Sequence, residues 1–181
     1  MLLDKLLQKW RMTKAISQIP QDARVLDIGS EDGYLFEIIG DRISTGVGID
    51  PLLTKTEHHG RYTLVPGHFP EQVPRETPFN AIVMLAVIEH FPEEILQNCD
   101  TLCRELLHDD GRVIITVPSK YVDTILTILK WLHLVDADTL DEHHGFEVSM
   151  VEEIFSSDSF KLVHREYFQL GLNNLFVFQK I

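Results

Sequence analysis

The stretch RVLDIGSEDGYLF, residues 24 to 36, does most to limit what this chain can become. Val25, Leu26 and Ile28 form an apolar run with no polar alternation, which reads as a strand buried on both faces. Gly29 and Gly33 then give the backbone freedom for a tight turn, and Tyr34 to Ile39 opens as a helix. The same alternation recurs. Arg24–Ile28, Gly46–Ile49, Tyr62–Val65, Ala81–Ala86 and Val113–Val117 read as strands. Tyr34–Ile39, Pro92–Leu107 and Lys120–Leu134 read as helices. Continuous apolar strands separated by helices predict an α/β chain with a mostly parallel sheet covered on both faces.

The ends carry different patterns. MLLDKLLQKW has Leu2, Leu3, Leu6, Leu7 and Trp10 at helical spacing, interrupted by Asp4, Lys5 and Lys9. This predicts an amphipathic helix within residues 1–19 that packs on the domain, not a signal peptide. Near the other end, a short helix over Ser149–Phe155 precedes strands at Lys161–Phe168 and Leu175–Gln179. The linker between those strands carries Gly171, Asn173 and Asn174, so the pair reads as an antiparallel hairpin added to the sheet. Pro66–Pro78 is proline-rich and reads as loop with a short helical turn. His58 and His59 fall in a polar loop or short helix.

Charge narrows the function. A net charge of −12 disfavours general nucleic-acid binding, which needs a basic surface against phosphates. It suits a cytoplasmic protein with small-molecule or protein partners, and no stretch is apolar enough to span a membrane. Cys99 and Cys103 lie four apart on one predicted helix without a completing zinc set. They read as reduced structural thiols.

In an open parallel sheet, ligands bind beyond the carboxyl ends of the strands. The Asp27–Gly33 turn lies there, and Ser30 offers it a hydroxyl and an amide. Asp50 ends the next strand at roughly the twenty-residue spacing of a ribose-binding carboxylate. A dinucleotide would put a pyrophosphate on this turn, where Glu31 and Asp32 would repel it. A ligand with a sulfonium and an ammonium against one carboxylate carries net positive charge and suits the acids, Asp27 among them.

VLDIGSEDG followed by GVGIDP resembles the first two motifs of class I S-adenosylmethionine-dependent methyltransferases. FNAIVMLAVIEHF resembles their fourth-strand motif, and LLHDDGRVIITVPS their fifth strand. The resemblance covers roughly residues 20 to 120. It implies a Rossmann-like three-layer sandwich with a seven-stranded sheet, the last strand inserted antiparallel. It also implies one methyltransferase domain over residues 1–181, with S-adenosylmethionine as cofactor and a substrate-cap segment over 119–147. Cofactor contacts are expected from Asp27, Gly29, Ser30, Glu31, Gly33, Asp50, Pro51, Gly67, His68, Phe69, Leu85 and Ala86. Two positions depart from the family. Glu31 replaces the usual middle glycine, and Gly67-His68 replaces a Gly-Asp whose acid contacts adenine.

The acceptor is expected to be a small organic molecule methylated at oxygen. Its candidate catalytic residues are Glu89 and His90 after the fourth strand and His144 as general base. Structurally, Glu89 and His90 can instead fix the strand–helix junction. Glu89, His90 and His144, followed by Phe146 and Glu147, also resemble the metal-binding set of small-RNA 2′-O-methyltransferases. Ala86 stands where that set has its first glutamate, so no metal is expected. A metal-assisted RNA-terminal 2′-O-methyltransferase is the second reading, with Ala86 and the net charge of −12 against it, and a non-catalytic cofactor-binding or scaffold protein is the third, kept open by Glu31. The helix over Lys120–Val135 is apolar nearly all round and reads as a substrate lid, a homodimer contact or plain core.

Overall fold

The computed structural model describes residues 2–119, 146–155 and 158–181. The helix expected over Lys120–Leu134, most of the substrate-cap segment 119–147, and His143 and His144 lie outside the described residues. The chain opens with helix α1, Leu2–Ile16, and strand β1, Ala23–Ile28. Helix α2, Tyr34–Ile39, strand β2, Ile43–Asp50, strand β3, Glu57–His59, and strand β4, Tyr62–Pro66, follow. Strand β5, Phe79–Leu85, leads through a 3₁₀ turn at Ile88–His90 to helices α3, Glu93–Leu96, and α4, Cys99–Leu106. Strand β6, Leu107–Pro118, helix α5, Met150–Ile154, and strands β7, Phe160–Phe168, and β8, Asn173–Lys180, complete the described chain.

The strands form one sheet in the order β3-β4-β2-β1-β5-β6-β8-β7. The run β4-β2-β1-β5-β6 is parallel. Strand β8 is inserted antiparallel between β6 and β7, as the C-terminal hairpin predicts. The apolar runs arise because successive side chains go to opposite faces and both faces are covered. Leu26, Ile28, Ile82, Met84, Val113, Ile115, Phe176 and Phe178 pack with Cys99, Cys103 and Leu106 of α4 and Val151 of α5. Val25, Ala81, Val83, Ile114, Leu175 and Val177 face the other way, onto Ala15 and Ile16 of α1 and Leu35, Phe36 and Ile39 of α2. The result is three layers, helix–sheet–helix. Both cysteines are free and fully buried, and burial pushes the Cys103 thiol well above its usual range.

Three local expectations are corrected. The sheet has eight strands, because Glu57–His59 pairs antiparallel with β4 instead of forming a loop or helix. These three residues are polar and sit at the sheet edge, so they carry no core signal. The helix expected over Pro92–Leu107 is two helices. Asn98 leaves helical geometry between them, and its side-chain amide donates to the Glu94 carbonyl. Finally, Asn173 and Asn174 are buried strand residues. The turn is made by Gln169, Leu170 and Gly171, all with positive φ, and Asn174 Nδ2 donates to Ser119 Oγ at 2.9 Å.

Candidate active site

The site assembles at the carboxyl ends of β1, β2, β4 and β5. Directly after β1, the Gly29 and Ser30 amides donate to the Ile49 carbonyl at 2.9 and 3.2 Å, which ties the turn to the end of β2. Gly29 has φ +76, and a Cβ there would lie 2.4 Å from Val87 Cγ2. Only glycine fits both the conformation and the approach. Gly48 plays a matching part, since a Cβ on it would sit 2.6 Å from Ser30 Oγ.

Asp50 anchors the far side of the turn. Its Oδ2 accepts the Glu31 amide at 2.9 Å, and its Oδ1 accepts the Leu52 amide at 2.8 Å. The carboxylate is therefore fixed in orientation by the backbone, with lone pairs left for a ligand. Asp27, 4% exposed, lies nearby. Burial, and secondarily the charge of Asp50, push its carboxyl up to about 8.

Two cavities meet at Gly29. The larger, about 410 Å³, is lined by Ile28, Gly29, Ile49, Pro51, Gly67, His68, Phe69, Glu71, Val87, His90, Phe91, Pro92 and Ile95. Its walls are mostly apolar, and Phe69 stacks on Phe91 at 5.6 Å between ring centres. The smaller, about 110 Å³, is polar and is lined by Gln8, Arg11, Met12, Asp27, Gly29, Ser30, Glu31, Asp32 and Leu85. A mostly apolar cavity that shares Gly29 with a polar one, and that is lined by Ile49 and Pro51 on either side of Asp50 in the chain, fits a nucleoside bearing a charged tail.

Most of the expected site residues meet here. Asp27, Gly29, Ser30, Glu31 and Leu85 line the smaller cavity, while Pro51, Gly67, His68, Phe69 and His90 line the larger. Gly33 starts α2, where a Cβ would be 3.1 Å from Leu64, so it serves helix–strand packing. Ala86 lines neither cavity and turns the chain at φ +57. Glu89 also lines neither. It is buried, with both carboxyl oxygens lacking a hydrogen-bond partner among the described residues. Burial pushes its carboxyl up to about 7, opposed by its own backbone amide and by the charge of Arg11. No group of three or more His, Cys, Asp or Glu among the described residues could hold a metal ion. Nor is any helix among them long and apolar enough to cross a membrane.

Sequence reasoning missed Arg11, Gln8 and Val87. The first two lie on a helix whose pattern announces only that it packs, and Val87 looks like any strand-end valine.

Glu31 occupies the left-handed region at φ +49, the conformation for which glycine is favoured. Its carboxylate reaches toward Gln8 Nε2 at 3.5 Å, so the acid forms a wall of the smaller cavity and leaves the larger one clear. Glu31→Gly is expected to raise folding stability by roughly 0.5–1 kcal/mol. A urea midpoint shifted upward checks this, and an unchanged or lower midpoint would show that the Gln8 contact outweighs the strain.

A family model described as a methyltransferase domain matches residues 3–164. The chain belongs to this methyltransferase family. It is an S-adenosylmethionine-dependent methyltransferase. Solved structures share its fold at low identity. The N-methyltransferase NodS from Bradyrhizobium japonicum WM9 is 13% identical with TM-score 0.64, covering 98% of each chain. Magnesium protoporphyrin IX methyltransferase from Synechocystis PCC 6803, with bound S-adenosylhomocysteine, is 14% identical with TM-score 0.68. That match covers 96% of this methyltransferase and 84% of the other chain. The 1,6-didemethyltoxoflavin-N1-methyltransferase of Burkholderia thailandensis is 15% identical with TM-score 0.68, covering 94% and 78%. No curated protein matches the sequence at a significant level.

Proposed function

We propose that this methyltransferase transfers a methyl group to an oxygen of a small organic acceptor. The observation that carries the reading is the pair of cavities meeting at Gly29 with Asp50 beside them. Asp50 binds the ribose hydroxyls, the Pro51–Phe69 side of the larger cavity holds adenine, and the smaller cavity holds the methionine end. Ser30 Oγ, buried without a partner among the described residues, supplies one further polar contact there. The cofactor brings an activated methyl on a sulfonium, so the chain's own task is orientation and exclusion of water.

A small acceptor agrees with the net charge of −12 and with relatives of this fold named for nitrogenous heterocycle and tetrapyrrole substrates. Oxygen as the accepting atom is favoured by His90, one of the residues lining the larger cavity, which offers a base for a hydroxyl nucleophile. His144 is a second base in this reading. Incubation with methyl-labelled S-adenosylmethionine and matched phenol and aniline panels tests it. Labelled ethers support the reading. Transfer to amines alone overturns the oxygen assignment, and no transfer to any small acceptor overturns the substrate class.

A further inference from the structure

Helix α5 and the C-terminal hairpin line a further cavity, about 540 Å³, that the cofactor assignment leaves unused. Asn174 of β8, 2% exposed, belongs to its lining. The side-chain amide of this residue is half satisfied. Its Nδ2 donates to the Val117 carbonyl at 3.3 Å and to Ser119 Oγ at 2.9 Å, while its Oδ1 has no partner among the described residues. A buried carbonyl oxygen without a donor is costly, so it marks a place that a donor would fill.

The charge of the lining says which donor. Among the described residues lining the cavity, Glu147, Glu152 and Glu153 stand against one cation, Arg165. That guanidinium is already engaged. It pairs with Glu152, donates to Tyr167 Oη at 2.7 Å and lies 5.0 Å from the centre of the Phe176 ring. Ser119 Oγ is committed as well, donating to the Gly171 carbonyl at 2.7 Å. Acceptors and negative charge are therefore in excess here. A primary ammonium, with three donors and one positive charge, matches both.

Position links the cavity to the reaction. Val117, Asn174 and Tyr167 are register partners across β6, β8 and β7, so their side chains share one face of the sheet. Val117 packs in the same core cluster as Ile28 and Ile49, which line the larger cavity. Both cavities thus lie on one face, at the carboxyl ends of the parallel strands. Strand β8 is two strands from β5, roughly 10 Å, which a small molecule can span. Resting on the function proposed above, we propose that this cavity anchors a primary ammonium group of the methyl acceptor, with Asn174 Oδ1 and the α5 acids as its partners. A protonated nitrogen has no lone pair to take a methyl group. It orients the molecule while a hydroxyl at the far end reacts, so the acceptors are hydroxylated amines.

Nuclear magnetic resonance titration of nitrogen-15-labelled protein tests this, with 2-phenylethylammonium and the similarly shaped anion 3-phenylpropionate as probes. The ammonium is expected to shift the Asn174 side-chain amide saturably, and the anion to bind at least about tenfold more weakly. Asn174→Leu, followed through the Ser119 and Tyr167 amides, is expected to weaken the ammonium about 10- to 100-fold. If that variant does not fold, Glu152→Gln on α5 is expected to weaken it about two- to fivefold. Equal binding of both probes would overturn the proposal, as would ammonium binding that neither variant changes. S-adenosylhomocysteine is expected to bind alongside the ammonium, and mutual exclusion of the two would overturn the acceptor role. Protein that binds S-adenosylhomocysteine but not the ammonium would remove the ammonium subsite alone. Protein that binds the ammonium at Asn174 but no S-adenosylhomocysteine would overturn the proposed function, and the acceptor role with it.

Discussion

Asp50→Ala is expected to weaken S-adenosylhomocysteine binding about 100- to 10,000-fold in calorimetric titration. The carboxylate would accept two ribose hydroxyls, and hydrogen bonds to a charged group contribute roughly 1.5–3 kcal/mol each. The loss goes further, because Asp50 also fixes the turn. Its Oδ2 accepts the Glu31 amide and its Oδ1 the Leu52 amide. Without it both amides lose their partner, and only the Gly29 and Ser30 amides on the Ile49 carbonyl still tie the turn to the end of β2. Asp50→Asn keeps the shape and one acceptor, so it should fall between alanine and wild type. A folded Asp50→Ala protein that binds within about threefold of wild type would sink the ribose assignment.

Asp27→Asn should push stability and binding in opposite directions. In the ligand-free protein the Asp27 carboxyl is raised to about 8 by burial and then by Asp50. Its folded pKa thus lies above its unfolded value near 3.8. Between those values the folded state holds a proton that the unfolded state has released. Stability therefore falls as pH rises from about 4 to about 8 and levels off above that. Glu89, raised from 4.5 to about 7, adds in the same direction. Asparagine removes the Asp27 penalty and should stabilise the empty protein at pH 8 by about 2–4 kcal/mol, with little gain at pH 4. In the proposed site the same change deletes a carboxylate that would meet the ammonium and sulfonium, so cofactor affinity should drop at least about tenfold, on the order of one hydrogen bond to a charge. For wild type, affinity for cationic S-adenosylmethionine should climb toward pH 8 as Asp27 gives up its proton more easily. Melting curves across pH 4–9 beside titrations decide the matter. A variant whose melting temperature tracks wild type at every pH would show that Asp27 is not held neutral.

These two carboxylates also show how much the chain declares in one dimension. Asp27 and Asp50 were legible as a pair because one is the penultimate and the other the last residue of an apolar strand, and strand ends in a parallel sheet share one edge. The strands around them were legible for a related reason: a strand covered on both faces must be apolar at every position. Edge strand β3 has no such obligation, and its Glu57-His58-His59 looked like loop. Ala86 and Glu89 were legible as strand-end residues, yet their place beside the cavities was not.

The sequence by itself determined the alternation of strand and helix, the glycine turn and the acids at the strand ends. Each of these is written in neighbours along the chain, through periodicity and allowed backbone angles. Only the tertiary structure decided that Arg11 lines the acidic chamber and feels the charge of buried Glu89, 78 residues onward by their numbers, or that Gly29 clears Val87. Those are contacts between segments, fixed by how α1 and the β5 turn pack against the sheet, and no local pattern encodes them.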